Sequence, residues 1–545
     1  GALGVAEAGE IAGRRVPLVV SGTIEPMGTM LAGQSVEALY TSLEHLDLFA
    51  VGLNCATGPA FMTDHLRSLA GIAECFVSVV PNAGLPDENG RYTESPERLA
   101  EVLGRFAHHG WVNFVGGCCG TTPAHIRAIV RAVEGKAPRV PLPASRRFSR
   151  VSGVDFLSLE EENRPIIVGE RTNVIGSRRF RDLIRAEAFE DAAEVGRRQV
   201  KGGAHVLDVC LADPDRDELK DVTRFLDRLT RKVRVPLMLD TTDPSVLDRA
   251  LRQCQGKSII NSVNLEDGEE RLERVVPLAR RFGAALVVGC IDEDPEEGMA
   301  VTRARKLAVA ERAHALLTGK YGLREEDLLF DPLVFPCATG DAKYAGSAVE
   351  TIEGVRLIKA RFPRAKTLLG ISNVSFGLPA GGREVLNSVF LHHCVAAGLD
   401  LAIVNSERLE RYASIPAEER RLAEDLLYAR GSDPAGAFAA FYRDSRRLRT
   451  PVKAESRSLE DRLADYIIQG TRDGLLADLD LALATIPPLE IISGPLMKGM
   501  DEVGRGLPFF AGWRAAWDEF EAQQTPEAQL VRDADRLDLL AQALV

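Results

Sequence analysis

The feature that most limits the fold of this chain is a strand and helix alternation that recurs eight times between Pro165 and Glu407. Each repeat is a short β-branched run that ends in Gly, Asn, Asp or Cys and precedes a helical segment, which predicts parallel strands joined by crossover helices. The eight predicted strands are 165–170, 205–211, 235–242, 258–264, 285–292, 328–335, 367–376 and 401–406. Because eight such units over about 250 residues close a barrel, the sequence predicts an α/β fold with a complete (β/α)8, or TIM, barrel.

The segments on either side of the predicted barrel have different patterns. Residues 1–140 contain only four predicted strands, which make half of a (β/α) barrel: 16–23, 48–55, 75–80 and 111–118. Residues 141–164 have scattered Pro, Ser and Arg and no apolar period, so we expect a linker there. The barrel itself is placed within 165–445. A helical segment with an atypical tail is predicted over 455–545, because apolar residues recur at helix spacing over 459–503.

Composition restricts the class of protein. The 545 residues are 45% hydrophobic and 27% charged, which is typical of a globular chain with two or three domains. No apolar run is long enough to span a membrane and no N-terminal signal sequence is visible, so we expect a cytoplasmic protein without a membrane partner. The net charge of −12 argues against a nucleic-acid partner. Nine cysteines without an even framework fit a reducing compartment.

Three cysteines lie at the ends of predicted strands in the half barrel. Cys55 is in the motif Gly-Leu-Asn-Cys-Ala-Thr-Gly, and Cys118 and Cys119 are in Gly-Gly-Cys-Cys-Gly-Thr-Thr-Pro-Ala-His. Three thiolates leave one open position on a tetrahedral zinc ion, where a substrate thiol binds as a nucleophilic thiolate. These cysteines are therefore candidate ligands of a catalytic zinc ion. The alternatives are small buried apolar residues or a redox-active adjacent pair.

Polar residues mark the carboxyl ends of the barrel strands, where (β/α)8 enzymes hold their active sites. Seven residues occupy such positions: Asp208, Asp240, Asn261, Asp292, Asp331, Asn373 and Asn405. All of them except Asn405 are candidate site residues. Carboxylates and amides suit a bicyclic pterin, because its guanidine-like edge donates hydrogen bonds and its ring nitrogens accept them. For any single residue of this set, capping of the next helix explains the position equally well. Their number around one rim favours a ligand site.

These motifs resemble those of the cobalamin-dependent methionine synthase family. The segment from about 165 to 430, which opens with Val-Gly-Glu-Arg-Thr-Asn, resembles the folate-binding module of that family and, more distantly, the dihydropteroate synthases. The cysteine motifs, within about 16–135, resemble the zinc site of the homocysteine S-methyltransferase family. Residues from about 459 to 505 resemble the start of the helical cap that covers cobalamin.

The resemblance implies a role for each candidate. The folate-binding set is Asp240, Asn261 and Asp331 at the pterin edge, with Asp208 and Asp292 nearby. Asn373 matches an asparagine that hydrogen-bonds near N5 and assists as that nitrogen gains a proton, which makes it a better leaving group. The three cysteines would bind zinc, with homocysteine as the bound thiol. The implied enzyme moves the methyl group of 5-methyltetrahydrofolate to cob(I)alamin and then to zinc-bound homocysteine, which gives methionine.

The resemblance is incomplete at both ends of the chain. The family barrel that binds homocysteine has four earlier strands, and we expect the half barrel to be unstable alone or part of a longer protein, because it would expose two strand edges. No Asp-x-His-x-x-Gly motif supplies a cobalt ligand after Arg505. Cobalamin would therefore come from a missing segment or from a separate corrinoid protein.

Two other functions stay open from the sequence. One is a folate-binding, inactive fragment with no turnover of its own. The other is a dihydropteroate synthase-like pterin enzyme, which forms a C–N bond and needs a lysine near the seventh strand and an arginine near the eighth. Neither residue is placed convincingly in 370–376 or 402–406.

Overall fold

The computed structural model describes residues 4, 5, 9, 11, 13, 16–55, 58–338, 342–444, 458–469, 474–504 and 510–522. The chain divides into two compact units. The first comprises Gly1–Val334, Glu353–Ser372 and Leu399–Glu407, and the second comprises Phe335–Ile352, Asn373–Gly398 and Arg408–Val545. In the described part of the chain, no helix combines the length and the apolar character that crossing a membrane requires.

The first unit begins with a four-stranded parallel sheet in the order β1-β2-β3-β4. Its strands are β1 (Leu18–Gly22), β2 (Leu48–Cys55), β3 (Phe76–Pro81) and β4 (Phe114–Val115). The connecting helices are α1 (Val36–Leu43), α2 (Thr63–Ile72), α3 (Pro96–His108) and α4 (Pro123–Val133). Ser35 and Ser95 cap α1 and α3 by accepting hydrogen bonds from backbone N–H groups of the first turn. The four predicted strands are therefore confirmed, although the last is shorter than predicted.

A two-stranded hairpin occupies the predicted linker. β5 (Arg150–Ser152) pairs antiparallel with β6 (Phe156–Ser158). Val151 and Leu159 are buried in one apolar cluster with residues of the barrel strands, among them Ile166 and Met238. Strands of three residues are too short to show an apolar period, which is why the sequence pattern did not reveal them.

The rest of the first unit is built on a closed barrel of eight parallel strands. The strands are β7 (Ile166–Asn173), β8 (Val206–Cys210), β9 (Leu237–Asp240), β10 (Ile259–Leu265), β11 (Ala285–Asp292), β12 (Leu328–Asp331), β13 (Lys366–Gly370) and β14 (Leu401–Val404). The barrel closes between its last and first strands, where Leu401 pairs with Ile166. The predicted (β/α)8 barrel is confirmed.

Amphipathic helices cover the outside of this barrel. They are α5 (Arg178–Arg185), α6 (Phe189–Lys201), α7 (Glu218–Leu229), α8 (Pro244–Leu251), α9 (Glu270–Phe282), α10 (Arg303–Ala315) and the C-terminal part of α11 (Ser347–Arg361). Their apolar faces join the strands in one buried cluster, which includes Leu207, Phe225 and Phe330. This burial is the main favourable contribution to folding of the barrel.

Two barrel strands end four or more residues earlier than predicted. β12 ends at Asp331, because Pro332 has no backbone N–H for the ladder and Leu333 adopts a left-handed φ of 64°. β13 ends at Gly370 and is followed by a 3₁₀ turn at Ile371–Ser375. Asn373 therefore lies in a turn and not in a strand.

A buried ionic cluster joins the segment after α1 to the amino-terminal end of the barrel. Glu44 pairs with Arg150, and Lys257 Nζ donates to Glu44 Oε1 at 2.7 Å. Lys257 also pairs with Asp327. Burial raises the pKa of Glu44, but the charges of Lys257 and Arg150 outweigh it and bring the pKa down to about 2. All the charges of this cluster are thus compensated.

The second unit is helical where it is described. It contains α12 (Ala380–Ala396), α13 (Ala417–Leu427), α14 (Pro434–Asp444), α15 (Leu459–Gln469), α16 (Leu475–Leu483), α17 (Pro488–Ile491), α18 (Met497–Gly504) and α19 (Phe510–Ala522). Leu463, Ala482 and Ile491 form a small apolar cluster, and Arg462 pairs with Asp478 at 2.7 Å. The predicted helical C-terminal segment is confirmed over these residues.

Candidate functional site

The carboxyl ends of the barrel strands bring three of the predicted site residues together. Asp208 lies in β8, Asp240 ends β9 and Asn261 lies in β10. Asn261 is in register with Asp240 across the β9 and β10 pair. These residues therefore share the end of the barrel at which enzymes of this fold bind substrates.

Asn173, the last residue of β7, connects the two carboxylates of this group. Its Nδ2 donates to Asp208 Oδ2 at 2.9 Å and to Asp240 Oδ2 at 3.2 Å. The sequence analysis missed Asn173, although it belongs to the Glu-Arg-Thr-Asn run that opens the barrel. An asparagine at a strand end has the same appearance in sequence whether it caps a turn or orients a carboxylate.

Asp208 and Asp240 titrate as an interacting pair. Burial and the charge of Asp240 raise the pKa of Asp208 to about 8, against the hydrogen bonds of Asn173 and Asn261. Burial raises the pKa of Asp240 to about 6, and the hydrogen bond from Asn173 opposes that rise. The two pKa values therefore lie on either side of neutral pH. Oδ1 of Asp208 is buried and has no hydrogen bond of normal geometry to any described residue, so the pair is not fully satisfied by the protein.

Asp331 ends β12 at the same end of the barrel. The backbone N–H of Leu333 donates to Asp331 Oδ1 at 2.8 Å. Burial raises the pKa of Asp331 to about 6. The hydrogen bond from the Leu333 N–H and the charge of Lys306 both act to lower this pKa and so limit the rise. A carboxylate of this kind gains from a ligand that donates hydrogen bonds to it.

Asp292 is held differently from the other carboxylates. It ends β11 and is only 6% exposed. Arg305 NH2 lies 2.7 Å from both of its carboxylate oxygens. This pairing already compensates the charge of Asp292. The predicted direct contact with a ligand is therefore disfavoured by the ion pair.

Asn373 lies in the second compact unit, three residues after the end of β13. Its side chain is exposed, and its backbone carbonyl accepts a hydrogen bond from the Phe376 N–H at 3.2 Å. Its neighbours Val374 and Ser375 are buried, whereas the amide of Asn373 is open to solvent.

The three predicted zinc ligands form the one cluster of metal-binding side chains found in the described residues. The sulfur atoms of Cys55, Cys118 and Cys119 all lie within 4.8 Å of one another. Tetrahedral zinc with bonds of about 2.3 Å needs sulfur atoms about 3.8 Å apart. Cys119 meets this requirement, at 4.0 Å from Cys55 and 3.8 Å from Cys118, whereas the separation between Cys55 and Cys118 is 2.8 Å. The thiols therefore fit a zinc ion after Cys55 and Cys118 separate by about 1 Å.

A hydrogen bond between two of these thiols separates their pKa values. It lowers the pKa of Cys55 and raises that of Cys118 to about 11. The thiol of Cys55 is therefore the more readily ionised of the two, and the thiolate is the form that binds a metal ion.

Loop residues near the sheet hold the adjacent cysteines in place. Asn82 Oδ1 accepts from the Cys119 N–H at 3.2 Å. Gly120 adopts a φ of 78°, and a Cβ atom there would lie 2.1 Å from the ring of Tyr92. His125 of the cysteine motif is a structural residue. Its Nδ1 accepts a hydrogen bond from the Thr122 N–H at the start of α4, and its Nε2 lies 3.0 Å from the Glu94 carbonyl oxygen. Sequence analysis missed Asn82 and Tyr92, because the loop that carries them has no motif of its own.

Family models match four segments of the chain. Residues 169–405 match "Pterin binding enzyme", residues 2–133 match "Homocysteine S-methyltransferase", residues 459–506 match "B12 binding domain" and residues 498–545 match "HD domain". Over these segments the chain is therefore similar to pterin-binding enzymes and to homocysteine S-methyltransferases.

Curated relatives make this class more specific. The chain is 40% identical to the methionine synthase of Mycobacterium tuberculosis over 506 residues, which is 90% of this chain and 42% of that protein. It is 40% identical to the methionine synthase of Mycobacterium leprae over 513 residues, again 90% of this chain and 42% of that protein. The expected resemblance to methionine synthases is confirmed, and the chain spans about two fifths of the length of these relatives.

Solved structures similar to the chain include dihydropteroate synthases. The enzyme of Xanthomonas albilineans in complex with 7,8-dihydropteroate is 20% identical, with a TM-score of 0.33, and the match covers 51% of this chain and 98% of that one. The enzyme of Yersinia pestis with a pterine-sulfa conjugate is 18% identical, with a TM-score of 0.34, and the match covers 51% of this chain and 99% of that one.

Proposed function

We propose that this chain performs methyl transfer of the methionine synthase type. The methyl group of 5-methyltetrahydrofolate passes to cob(I)alamin and then to zinc-bound homocysteine, which gives methionine. The observation that carries the proposal is the group of incompletely neutralised carboxylates in the pterin-binding barrel, Asp208, Asp240 and Asp331, within a chain whose relatives are methionine synthases.

The barrel residues have distinct parts in this reaction. The carboxylates of Asp240 and Asp331, with the amide of Asn261, accept and donate hydrogen bonds at the pterin edge. Asp208 and Asp292 lie nearby. The amide of Asn373 hydrogen-bonds near N5, where a proton must arrive as the bond to the methyl carbon breaks. These residues position the substrate and stabilise charge, and none of them is a nucleophile.

Zinc and cobalamin would supply the rest of the chemistry when bound: a zinc ion would stabilise the substrate thiolate, and cobalamin would carry the methyl group. Cys55, Cys118 and Cys119 would hold the zinc ion. They leave its fourth position for homocysteine. Residues 459–506, which match the B12 binding domain, would contact cobalamin together with a further cobalamin-binding segment or a corrinoid protein.

A pteroate synthase activity is not favoured. The lysine of β13, Lys366, lies at the beginning of its strand, and its Nζ donates to Glu160 at 3.0 Å. It therefore serves the amino-terminal end of the barrel, opposite to the end at which a substrate would bind.

Methyl transfer to added cob(I)alamin tests the proposal. The full chain is incubated with 5-methyltetrahydrofolate, and the corrin spectrum is followed for the wild type, Asn373→Ala and Asn405→Ala. Asn405 is a matched control, because it follows β14 and its side chain accepts from the Glu407 N–H at 3.3 Å in a turn. We expect the wild type and Asn405→Ala to transfer the methyl group, and Asn373→Ala to do so at least about a hundredfold more slowly.

Two outcomes would contradict the proposal. A wild-type chain that binds 5-methyltetrahydrofolate but transfers no methyl group would be a folate-binding protein without turnover. Equal rates for Asn373→Ala and the wild type would remove Asn373 from the reaction.

A further inference from the structure

Lys306 is the most deeply buried lysine among the described residues, and the reaction outlined above does not use it. It lies in the first turn of α10 and has no solvent-exposed surface. Its Nζ donates to the carbonyl of Ala300 at 2.9 Å and to that of Leu333 at 3.3 Å, and it also contacts the carbonyl of Pro332. A buried ammonium group is tolerated only when its protons are used in this way.

The chain around Lys306 is shaped to admit its side chain. A Cβ atom on Gly354 would lie 2.7 Å from Lys306 Cδ, so α11 approaches the lysine stem closely only because residue 354 is glycine. Ala300 is itself fully buried, and its N–H donates to the Cys290 carbonyl at 3.3 Å. The hydrogen bonds of Lys306 therefore connect the segment after β11 to the turn after β12.

The turn after β12 has a conformation that its sequence does not favour. Leu333 adopts a φ of 64°, which is disfavoured for a residue with a branched side chain. In this conformation its N–H donates to Asp331 Oδ1 at 2.8 Å. The carbonyl groups on either side of that N–H belong to Pro332 and Leu333, and both contact Lys306.

We propose that Lys306 is a positioning residue for pterin recognition: it fixes the Pro332 and Leu333 turn, whose N–H holds one carboxylate oxygen of Asp331 and leaves the other oxygen for the ligand. This inference rests on the proposed function, because it assumes that Asp331 contacts the pterin. Lys306 itself does not touch the substrate in this account.

The charge of Lys306 also favours the ionised carboxylate of Asp331. Burial raises the pKa of Asp331 to about 6, and the charge of Lys306 opposes that rise. The other titratable group that faces Asp331 in the described residues is Cys290 of β11, whose pKa burial raises to about 12, so it stays neutral. Removal of Lys306 therefore raises the pKa of Asp331, and the carboxylate is protonated at a higher pH.

Calorimetric titration with 5-methyltetrahydrofolate between pH 5.5 and 8.5 tests the inference on the full chain. The variants are Lys306→Met, Asp331→Ala, the double variant and Lys366→Met. Lys366 is a matched control, because it is also a buried lysine, 4% exposed, but lies at the amino-terminal end of β13, away from the proposed pterin site. Thermal unfolding of each variant establishes that it is folded before the titration.

We expect Lys306→Met to bind at least about tenfold more weakly than the wild type at pH 7. Its binding should also fall off at a higher pH than that of the wild type as the solution is acidified. The double variant should bind no more weakly than Asp331→Ala, since Lys306 acts through Asp331. Lys366→Met should bind as the wild type does.

The outcomes separate this inference from the proposed function. Wild-type affinity and an unchanged pH midpoint in Lys306→Met, or additive losses in the double variant, would overturn the positioning role while the folate site stands. If Lys306→Met does not fold, Lys306→Gln replaces it, with the same two expectations. A wild-type chain that does not bind 5-methyltetrahydrofolate would instead overturn the proposed function, and the inference with it.

Discussion

Asp327 and Asp331 stand at the two ends of one strand, β12, and the protein treats them in opposite ways. Asp327, at the amino-terminal end, pairs with the buried Nζ of Lys257. Asp331, at the carboxyl-terminal end, is held by a backbone N–H, and burial raises its pKa to about 6. Removal of a carboxylate that has a buried cationic partner destabilises the fold, because the cation is left unpaired. A buried carboxylate without such a partner costs stability and is available to a ligand.

The contrast extends around the barrel. At the amino-terminal end, Asp400 is fully buried and pairs with Arg164 at 2.8 Å and Lys359 at 2.9 Å. At the other end, Asp208 and Asp240 have raised pKa values, and the amide of Asn173 donates a hydrogen bond to each of them. The difference expected for a (β/α)8 barrel, with stability at one end and chemistry at the other, is thus visible in how these carboxylates are neutralised. Asp292, which pairs with Arg305 at the carboxyl-terminal end, is an exception.

The largest effect should come from breaking a pair at the stabilising end. Asp400→Ala leaves Arg164 and Lys359 without their partner, and we expect a loss of about 3–5 kcal/mol in the free energy of unfolding. Urea denaturation measures it. Asp155→Ala is the control, because its pair with Arg234 at 2.7 Å is half exposed and should be worth about 1 kcal/mol or less. A loss in Asp400→Ala as small as that of the control would break the comparison.

At the carboxyl-terminal end of the barrel, removal of a carboxylate should instead increase the free energy of unfolding. The folded-state pKa of Asp208, about 8, lies above its ordinary value of 3.8, so the folded chain binds the extra proton and stability falls as pH rises from about 4 to about 8. Asp208→Asn removes this cost. We expect the variant to be more stable than the wild type by on the order of 2 kcal/mol at pH 8.5, with a smaller gain at pH 5.5.

Urea denaturation at the two pH values measures this difference. Asp240→Asn should show the same trend over a narrower pH range, because the pKa of Asp240 is raised only to about 6. An Asp208→Asn variant that is equally destabilised at both pH values would show that Asp208 is a structural residue.

The thiol cluster extends the comparison to the four-stranded sheet, since it too lies where strands end. We expect the wild type to retain about one zinc ion per chain after dialysis, and Cys119→Ala to retain none. Elemental analysis of the dialysed proteins measures the content. Cys75→Ala is the control, because Cys75 is a half-buried thiol outside the cluster. Equal zinc content in both variants would remove Cys119 from the site.

The smallest effect is expected for substitution of Asp292, and it tests whether the ligand site extends to this residue. Its carboxylate is already paired with Arg305, so Asp292→Asn should change the affinity for 5-methyltetrahydrofolate by less than about threefold. A calorimetric titration at pH 7 measures it. A tenfold or larger loss would place Asp292 among the residues that contact the ligand.

The fold was largely predictable because its main elements have strong periodic patterns. All eight barrel strands and the four strands of the first sheet were found from β-branched runs followed by helical segments. The hairpin of β5 and β6 was missed, because its strands are only three residues long. The early end of β12 depends on the φ of Leu333, and no local rule predicts a left-handed leucine.

The candidate site was predictable only as a set of residue types. Strand ends predicted Asp208, Asp240 and Asp331, but the pattern does not distinguish them from Asp292, whose pairing with Arg305 spans 13 residues. Asn173 and Lys306 act through contacts with residues that are distant in sequence or hidden in a turn. Such contacts depend on tertiary packing, which a single sequence does not reveal.

The central claim is that the carboxylates without ion-pair partners at the carboxyl-terminal end of the barrel bind the pterin. Calorimetric titration of the full chain with 5-methyltetrahydrofolate at pH 7.5, comparing the wild type with Asp331→Ala and Asp327→Ala, tests it most directly. We predict saturable binding at one site for the wild type and for Asp327→Ala, and a loss of at least about a hundredfold for Asp331→Ala. Binding that Asp331→Ala leaves intact, or no binding by the folded wild type, would contradict the account.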